Sequence, residues 1–261
     1  ILQLQSMPNV IVKNRSQVFG YYDHNMMVML ERTKDHIEKP AKFTPRQRLW
    51  YIRAKEVIIS TGSIERPLVF GNNDRPGIML ASAAKEYMRV YGVLVGKKPI
   101  IFTNNDSGYE TAIDFKKNGI DPLIVDVRKN PDSSIVNEAR NLGINIKFSH
   151  GVVNAKGHLK VKSATIGKLN TEKNDYENLE DISCDCICVS GNWTPTVHLS
   201  SQSGNKLKFD DQINAFIPNH SKQNESTIGS ASGSYLLNEN LEKGFKTGYN
   251  LSKKITKSDL K

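Results

Sequence analysis

One segment, residues 99–127, constrains the fold of this chain more than any other. It begins with an apolar strand, Pro99–Thr103, turns at Asn104–Ser107 and continues as an amphipathic helix that Gly119 closes. A second apolar strand, Pro122–Val127, follows directly. A strand, a turn, a helix and a strand within about 30 residues form a βαβ unit, in which the two strands lie parallel in one sheet. The sequence therefore predicts an α/β fold.

The turn of this unit departs from the pattern that binds a dinucleotide. In G-x-G-x-x-G turns, the glycines let the backbone approach a pyrophosphate at the helix N-terminus. The matching positions are Thr103, Asn105 and Gly108, so only the third glycine, which permits close helix–strand packing, is present. Asp126 could hold a ribose hydroxyl, but the Cβ atoms of Thr103 and Asn105 should crowd a dinucleotide. We therefore predict a Rossmann-shaped domain that has lost its own nucleotide site.

Three other glycine-containing segments follow apolar strands. Ligands of open α/β sheets bind at the carboxyl ends of strands, where glycine lets the chain turn sharply against a bound group. Ordinary strand-to-loop turns also use glycine, but the order of three such turns around one βαβ domain is more specific. The candidate cofactor-binding residues are Thr61, Gly62, Ser63, Gly191, Asn192, Gly229, Ser230 and Ala231.

Four further side chains each have two interpretations. Arg66 could pair with a phosphate or with a carboxylate of another subunit, or it could belong to a local Glu–Arg surface pair. His24 is expected in a turn, although it could act as a base. His198 is expected to be a hydrogen-bonded structural residue, although it could face a cofactor. Trp193 could pack at a domain interface or shield a cofactor. No spacing indicates a catalytic Ser/His/Asp or Cys/His set, so no catalytic residue is predicted.

The three cysteines, Cys184, Cys186 and Cys188, alternate along one predicted strand. Alternation should place them on one face, where neighbours two residues apart are poorly placed to form a disulfide. No fourth ligand lies nearby in the sequence, so we predict no metal site. We interpret them as reduced thiols that fill a buried strand, which predicts a cytoplasmic location.

Composition argues against two classes of partner. Hydrophobic residues make up 38% of the chain. No apolar run reaches the roughly 20 residues of a membrane-spanning helix, so we expect no membrane partner. The net charge is +9, but the lysines are scattered and cluster mainly in the tail. Because no zinc finger, RNP pattern or aromatic-interleaved basic stripe is present, we expect no nucleic-acid partner. The charge could instead steer anionic ligands or subunits.

Five segments carry a closer resemblance. Over residues 9–250 they are similar to the alpha subunits of heterotetrameric sarcosine oxidases. The segments are VFGYYDHN, LWYIRAKEVIISTGSIERPLVFGNNDRPGIMLASA, IIFTNNDSGYETAIDF, CVSGNWTPTVHLSSQSGNKL and GSASGSY. The resemblance implies a FAD/NAD(P)-binding, disulfide-reductase-like architecture with two dinucleotide domains. Residues 1–80 and 191–261 would then form a truncated first domain, interrupted by a Rossmann-like domain at 81–190.

The resemblance also implies cofactors, partners and an activity. NAD is implied on the alpha subunit, FAD on the beta subunit, FMN between them and tetrahydrofolate in a C-terminal alpha domain, with gamma and delta subunits completing the complex. The complex is implied to demethylate sarcosine oxidatively to glycine, with hydrogen peroxide and a folate-bound one-carbon product.

A first GxGxxG loop and a folate domain have no counterpart in this sequence. We therefore expect the chain alone to be inactive and to be the NAD-binding part of such a subunit. The alternatives are the alpha subunit of a related proline or opine dehydrogenase, or a non-catalytic scaffold.

Overall fold

The computed structural model describes residues 2–259, with side chains as far as residue 256. The chain forms two compact units: a flanking unit, Ile1–Ile64 with Thr194–Lys261, and a central unit, Glu65–Trp193. In chain order the elements are α1 (Leu2–Gln5), β1 (Ser16–Tyr22), β2 (Met26–Arg32), β3 (Gln47–Arg53), β4 (Val57–Ile59), β5 (Ser63–Glu65), β6 (Ile78–Leu80), α2 (Ala81–Tyr91), β7 (Pro99–Thr103), α3 (Ser107–Lys117), β8 (Leu123–Asp126), α4 (Ser134–Asn141), β9 (Asn145–Phe148), β10 (His150–Lys156), β11 (Ser163–Asn170), β12 (Asp175–Ser183), β13 (Cys186–Ser190), β14 (Trp193–Pro195), α5 (His198–Gln202), β15 (Lys206–Asp210), β16 (Ala215–His220), β17 (Glu225–Thr227), a 3-10 turn (Gly229–Ser232) and α6 (Leu237–Asp259).

The central unit is built on a five-stranded parallel sheet with the strand order β6-β13-β7-β8-β9. Every residue of β7 and β13 is buried, as expected of strands covered on both faces. One face packs against helices α2, α3 and α4, with Tyr109 and Phe115 among the buried side chains. The other face packs against apolar side chains that include Val152 and Ile166 of β10 and β11. The predicted α/β class and the βαβ unit of residues 99–127 are confirmed.

The central unit begins earlier in the chain than the sequence predicted. Residues 65–80, assigned to the first domain, lie in this unit because β6 is one of its sheet strands. Ile78 and Leu80 pair in parallel with Ile187 and Val189 of β13. β6 has only three residues, and its partner β13 is distant in the sequence. So short an apolar run does not identify a strand.

A second sheet of the central unit contains β10, β11 and β12 in antiparallel order. The polar segment of residues 169–181 reads as an insert in a hairpin, but most of it forms β12 and pairs along β11. Buried and exposed residues do not alternate regularly along β12. One side of an antiparallel sheet can face water, so many residues of such a strand can be polar. Because the segment is polar, the sequence did not predict β12, which is stabilised by its hydrogen bonds to β11.

The cysteines do not all share one face, contrary to the prediction. Cys186 and Cys188 lie on the helix-covered face of the sheet with their Sγ atoms 3.5 Å apart. Cys184 packs on the opposite face because it precedes β13 and does not continue its alternation. All three are buried free thiols. Burial raises the pKa of Cys184 to about 12, which keeps its sulfur protonated.

The flanking unit contains a three-stranded antiparallel sheet, β1-β2-β3, and a parallel pair, β4-β17. Tyr21 packs with Val57 and Ile59 in the core of this unit. The apolar segment Glu56–Ser60 predicts a strand that is covered on both faces, but β4 is shorter and its Ile58 is 43% exposed. Within residues 2–256, β4 is therefore not covered on both faces as the sequence predicted.

Asn25 joins the turn between β1 and β2 to the rest of this unit through side-chain hydrogen bonds. It is buried and has a positive φ of 52°. Its Oδ1 accepts a hydrogen bond from the Tyr21 hydroxyl at 2.8 Å. Its Nδ2 donates to the carbonyl oxygens of Asn224 at 3.0 Å and Lys55 at 3.3 Å. The loops that lead into β4 and β17 are thereby held against the same turn.

The last helix, α6, has an exposed apolar side. Leu241, Phe245 and Tyr249 recur every four residues and are more than half exposed, and the rings of Phe245 and Tyr249 stack. An ion pair of 2.5 Å joins Lys254 of α6 to Glu56 beside β4. Across residues 2–259, no helix combines the length and apolar character required to cross a bilayer.

Candidate functional site

The carboxyl ends of β4 and β17 meet at one edge of the flanking unit. The strands are parallel, with Ile59 opposite Thr227, so the turns that follow them lie side by side. Gly62 and Gly229 occupy these turns with positive φ angles of 78° and 71°. A Cβ atom placed on Gly62 would lie 3.9 Å from Ser230 Oγ, and one on Gly229 would lie 3.9 Å from Ser60 Oγ. The edge is therefore open and is bordered by hydroxyl groups.

Hydrogen bonds hold the Thr61–Gly62 turn in place. The Thr61 hydroxyl donates to the carbonyl oxygen of Thr196 at 2.8 Å, and the Thr196 amide donates to the Gly62 carbonyl oxygen at 3.0 Å. Ser63 continues from this turn into β5 and is partly exposed. The sequence did not single out Thr196, because its role depends on a contact that only folding creates.

The 3-10 turn after β17 presents some of its residues and buries others. Gly229 and Ser230 are partly exposed, whereas Ala231 is fully buried. The Ser232 hydroxyl donates to the Gly229 carbonyl oxygen at 2.8 Å, which tightens the turn. Gly229 and Ser230 are thus accessible to a ligand, whereas the Ala231 side chain packs inside the protein.

A cavity of about 730 Å3 adjoins the end of β4 within the flanking unit. Its polar end contains Ser60, Thr61, Thr196 and His198, and its other walls are largely apolar. Its lining includes no Lys, Arg, Asp or Glu among the described residues. His198 begins α5 and is exposed to this cavity, and within residues 2–256 the structure gives its ring no hydrogen-bond partner. The expectation of a hydrogen-bonded structural histidine is therefore corrected.

Gly191 and Asn192 belong to the central unit, where they follow β13. The Gly191 amide donates to the Arg66 carbonyl oxygen at 2.7 Å, and the Arg66 amide donates to the Asn192 carbonyl oxygen at 2.8 Å. A Cβ atom on Gly191 would lie 2.8 Å from the carbonyl oxygens of Arg66 and Pro67. Close backbone packing within the unit is sufficient to require this glycine.

Glu65 is not part of a Glu–Arg surface pair. Only 4% of its surface is exposed, and its Oε2 accepts a hydrogen bond from the Ser82 amide at 2.8 Å. Ser82 lies in the first turn of α2, where a carboxylate compensates the unpaired amides and the helix dipole. Glu65 therefore stabilises the start of α2.

Side chains close the βα turn of the central unit. The Asn105 amide group donates to the Ser190 carbonyl oxygen at 3.0 Å, and its Oδ1 accepts from the Ser107 amide at 2.9 Å. The Thr103 hydroxyl accepts a hydrogen bond from the backbone amide of Asn105 at 3.1 Å. Amides that would face a phosphate in a G-x-G-x-x-G turn are thus bonded within the protein. A Cβ atom on Gly108 would lie 2.8 Å from the Thr103 side chain, which explains the glycine retained there.

Asp126, the residue that could hold a ribose hydroxyl in the central unit, is bonded to other residues of the protein. Asp126 has no exposed surface and accepts hydrogen bonds from the Tyr109 hydroxyl at 2.7 Å and from Arg128 Nη2 at 2.8 Å. Arg128 also pairs with Asp106 at 2.7 Å. Burial alone would lower the pKa of Arg128, but its bonds to Asp126 and Asp106 outweigh this and raise it. Burial, reinforced by Asp126, likewise raises the pKa of Tyr109. The Asp126 carboxylate is therefore already satisfied by the protein.

Two further candidates have local roles. Trp193 Nε1 donates to the Ser107 hydroxyl at 3.1 Å, within the central unit. His24 lies in the β1–β2 turn with a φ of 58°, so its expected turn position is confirmed. Within residues 2–259, no three His, Cys, Asp or Glu side chains are grouped as metal ligands.

Comparison with known proteins relates the chain to one group of enzymes. It is 36% identical over 224 residues to the sarcosine oxidase subunit alpha of Corynebacterium sp. (strain P-1), covering 84% of this chain and 23% of that protein. It is 35% identical over 230 residues to the sarcosine oxidase subunit alpha of Rhizobium meliloti (strain 1021), covering 88% and 22%. The chain thus spans less than a quarter of the length of these relatives. No protein-family model matches it.

Solved structures show the same fold at low sequence identity. The flavoprotein disulfide reductase RclA of Escherichia coli matches with a TM-score of 0.61 and 15% identity, over 91% of this chain and 49% of that one. The L-proline dehydrogenase of P. horikoshii matches with a TM-score of 0.54 and 21% identity, over 83% and 36%. The predicted FAD/NAD(P)-binding, disulfide-reductase-like fold is confirmed. The chain belongs to the family of sarcosine oxidase alpha subunits.

Proposed function

We propose that the flanking unit is the NAD-binding part of an alpha subunit of the sarcosine oxidase type. The observation that carries this proposal is the paired edge of β4 and β17, where Gly62 and Gly229 leave space at the carboxyl ends of two parallel strands. This is where ligands of parallel α/β sheets bind. Gly191 and Asn192 support the central unit, so the principal contacts are assigned to Thr61, Gly62, Ser63, Gly229 and Ser230.

The residues at this edge fit part of a dinucleotide. The absence of Cβ atoms at Gly62 and Gly229 permits a sugar–phosphate chain to approach the backbone closely. The hydroxyls of Ser60, Thr61 and Ser230 can bond to ribose or phosphate oxygens. Since no Lys, Arg, Asp or Glu of residues 2–256 lines the adjoining cavity, that cavity suits an uncharged ring of the ligand better than its phosphates. Bound NAD supplies a nicotinamide ring that can exchange a hydride.

The central unit is assigned a structural role in this proposal. In the turn where a phosphate would bind, the Ser107 amide is bonded to Asn105. Asp126, which could hold a ribose hydroxyl, is bonded to Arg128. One nucleotide, bound by the flanking unit, is therefore the expected content of this part of the subunit. This division of roles agrees with the sequence prediction that the central domain lost its site.

The wider assembly follows the family resemblance. In this proposal the subunit works in the cytoplasm with beta, gamma and delta subunits, and FAD and FMN in the complex accept electrons from the amine. The complex demethylates sarcosine to glycine, forms hydrogen peroxide and passes the one-carbon product to tetrahydrofolate outside this segment. The chain alone has no assigned acid–base pair, so it is not expected to oxidise sarcosine.

Two alternatives predict different cofactors or substrates. An alpha subunit of a proline or opine dehydrogenase would contain NAD but act on a different amine. A non-catalytic scaffold would contain no nucleotide, and the closed turn at Asn105 favours that role for the central unit alone. The open edge at Gly62 favours a nucleotide-binding subunit over a scaffold.

Two measurements on the intact complex separate these functions. Mass spectrometry of cofactors released from the purified complex should find NAD together with flavins. Hydrogen peroxide formation should depend on sarcosine and should be slower with proline or an opine. A complex without NAD would support the scaffold, whereas NAD with activity only toward another amine would support the dehydrogenase.

A further inference from the structure

The outer face of the β1-β2-β3 sheet carries an exposed group of large apolar side chains, here called the aromatic patch. It contains Phe19, Tyr22, Leu49 and Tyr51, which are 49%, 50%, 50% and 70% exposed. All four line one shallow groove of about 350 Å3. Scattered apolar side chains are normal on a protein surface, but a contiguous patch often marks an interaction site.

Two backbone features assemble the aromatic patch. A β-bulge interrupts the pairing of β1 with β2 between Val18 and Gly20, so Phe19 lines the same groove as Tyr22. Bulges redirect side chains in this way. A Cβ atom on Gly20 would lie 2.7 Å from the Tyr22 ring, so the glycine makes room for that ring. The patch thus depends on specific local geometry.

The opposite face of β3 is covered by other residues of this chain. Trp50, between Leu49 and Tyr51, donates from Nε1 to Glu31 at 2.7 Å. The Lys13 ammonium lies 4.2 Å from the centre of the Trp50 ring and pairs with Glu31 at 3.2 Å. Tyr51, one residue further along β3, remains 70% exposed. The two faces of β3 therefore differ in what covers them.

A basic rim borders the aromatic patch where Met26 of the patch groove pairs with Arg53. Arg53 lines a second groove of about 520 Å3 together with His24, Lys55 and Lys222, and no carboxylate of the described side chains is part of its lining. Among residues 2–256, Arg53 and Lys222 have no ion-pair partner. The flanking unit has 19 Lys and Arg against 11 Asp and Glu, whereas the central unit has 17 against 16. The excess positive charge is therefore concentrated in the unit that carries the rim.

We infer that the aromatic patch and its basic rim are one docking surface for another protein, which presents apolar side chains bordered by Asp or Glu. Aromatic and Arg side chains dominate the energetic centres of protein interfaces. A complementary acidic border would neutralise Arg53 and Lys222 and speed association. A free phosphate would satisfy only the rim and would leave the four apolar side chains in water. The inference is independent of nucleotide binding at Gly62.

Site-specific cross-linking tests this surface. A photoreactive phenylalanine replaces Tyr51 in the full-length protein, expressed in the cells that produce it naturally. Leu159, 80% exposed in the central unit, provides the control position. Sequencing of the cross-linked peptide should identify one partner segment that combines apolar residues with Asp or Glu. The purified partner should bind at least about ten-fold more weakly to Arg53→Glu, and a Lys substitution at the facing acid should restore affinity.

Several results would overturn the inference. Cross-links to a second copy of the chain would assign the patch to self-association. Cross-links within the same polypeptide would show that the patch is covered internally. Equal yield from Leu159, a partner segment without acidic residues, or unchanged binding by Arg53→Glu would each refute the proposed chemistry. Thermal unfolding of Arg53→Glu controls for loss of fold, and retained NAD in the same preparation separates this test from the nucleotide proposal.

Discussion

Gly62 and Gly229 lie in the turns that follow two paired parallel strands, and each faces a serine of the other turn, Ser230 and Ser60 respectively. Within residues 2–256, an added Cβ atom at either position would lie no closer than 3.9 Å to its nearest neighbour, so crowding of that atom is not the constraint. The constraint is the backbone, because both residues have positive φ angles that other residues adopt only with strain. The shape of this edge therefore depends on glycine at both positions.

Gly62→Val should strip NAD from the assembled complex and leave its quaternary structure intact. The turn would relax from its left-handed conformation, at a cost of about 1–3 kcal/mol, and binding should weaken roughly ten- to a hundred-fold. Gly92→Val is the matched control, since Gly92 has a φ of 64° and open space around it in the central unit. Size-exclusion profile and NAD content are measured on the same preparation. Full NAD occupancy in the Gly62 variant would refute the role of this turn.

The isolated 261-residue chain should bind NAD no tighter than about 1 mM. In the described part of the chain, the cavity beside Thr61 has no Lys or Arg in its lining to pair with a pyrophosphate. Isothermal calorimetry with NAD checks this, with the full-length protein as the positive control. Micromolar affinity of the isolated chain would show that the described edge is sufficient by itself.

Restoring glycines in the central turn should not restore a nucleotide site. The Thr103→Gly, Asn105→Gly double variant loses the hydrogen bonds to Ser190 and Ser107, and Asp126 stays paired with Arg128. We expect no gain in NAD affinity and a loss of about 1–3 kcal/mol in unfolding free energy. Calorimetry and urea unfolding measure the two quantities. Tighter NAD binding would instead mean that side-chain crowding was the main obstacle.

Arg128→Met should destabilise the central unit strongly. It leaves the fully buried Asp126 carboxylate without its cation, at a cost of about 3–5 kcal/mol. Arg89→Met removes an exposed bidentate pair with Asp114 and should cost less than about 1 kcal/mol. Urea unfolding of both variants checks the contrast. Equal losses would mean that the Arg128 pair contributes no more than a surface pair.

Tyr21 should make the flanking unit less stable at high pH. Burial, with the negative charges of Glu225 and Glu56, raises the pKa of its hydroxyl from 10 to about 12. The unfolded chain loses this proton at lower pH than the folded protein. The stabilisation is therefore present below pH 10 and is lost as the pH rises from 10 to 12. Tyr21→Phe should show a shallower fall in unfolding free energy across that range.

The sequence predicts elements whose signals are local. The βαβ unit of residues 99–127 combines apolar strands with a helix that ends before Gly119, whose φ is positive. In contrast, β6 depends on pairing with the distant β13, and β12 is largely polar because it is antiparallel and partly exposed. β6 is apolar but only three residues long, and β12 has no apolar pattern, so neither strand is evident from its own sequence.

The candidate site was predictable only in part. Glycines after strands pointed to Gly62, Gly191 and Gly229, but their grouping follows from strand pairing between distant segments. Pairing of β17 with β4 brings Gly229 beside Gly62, whereas Gly191 packs within the central unit. The role of Arg128 could have been suspected, since it follows Asp126 by two residues and can fold back onto that carboxylate.

The Arg128 ion pairs also determine how difficult it would be for evolution to rebuild a nucleotide site in the central unit. Removing Arg128 first leaves a buried carboxylate unpaired, and inserting glycine at Asn105 first breaks the turn while the ribose position stays blocked. Each single step therefore yields a less stable protein that still cannot bind. A nucleotide site in the central unit would therefore require several substitutions to be made together.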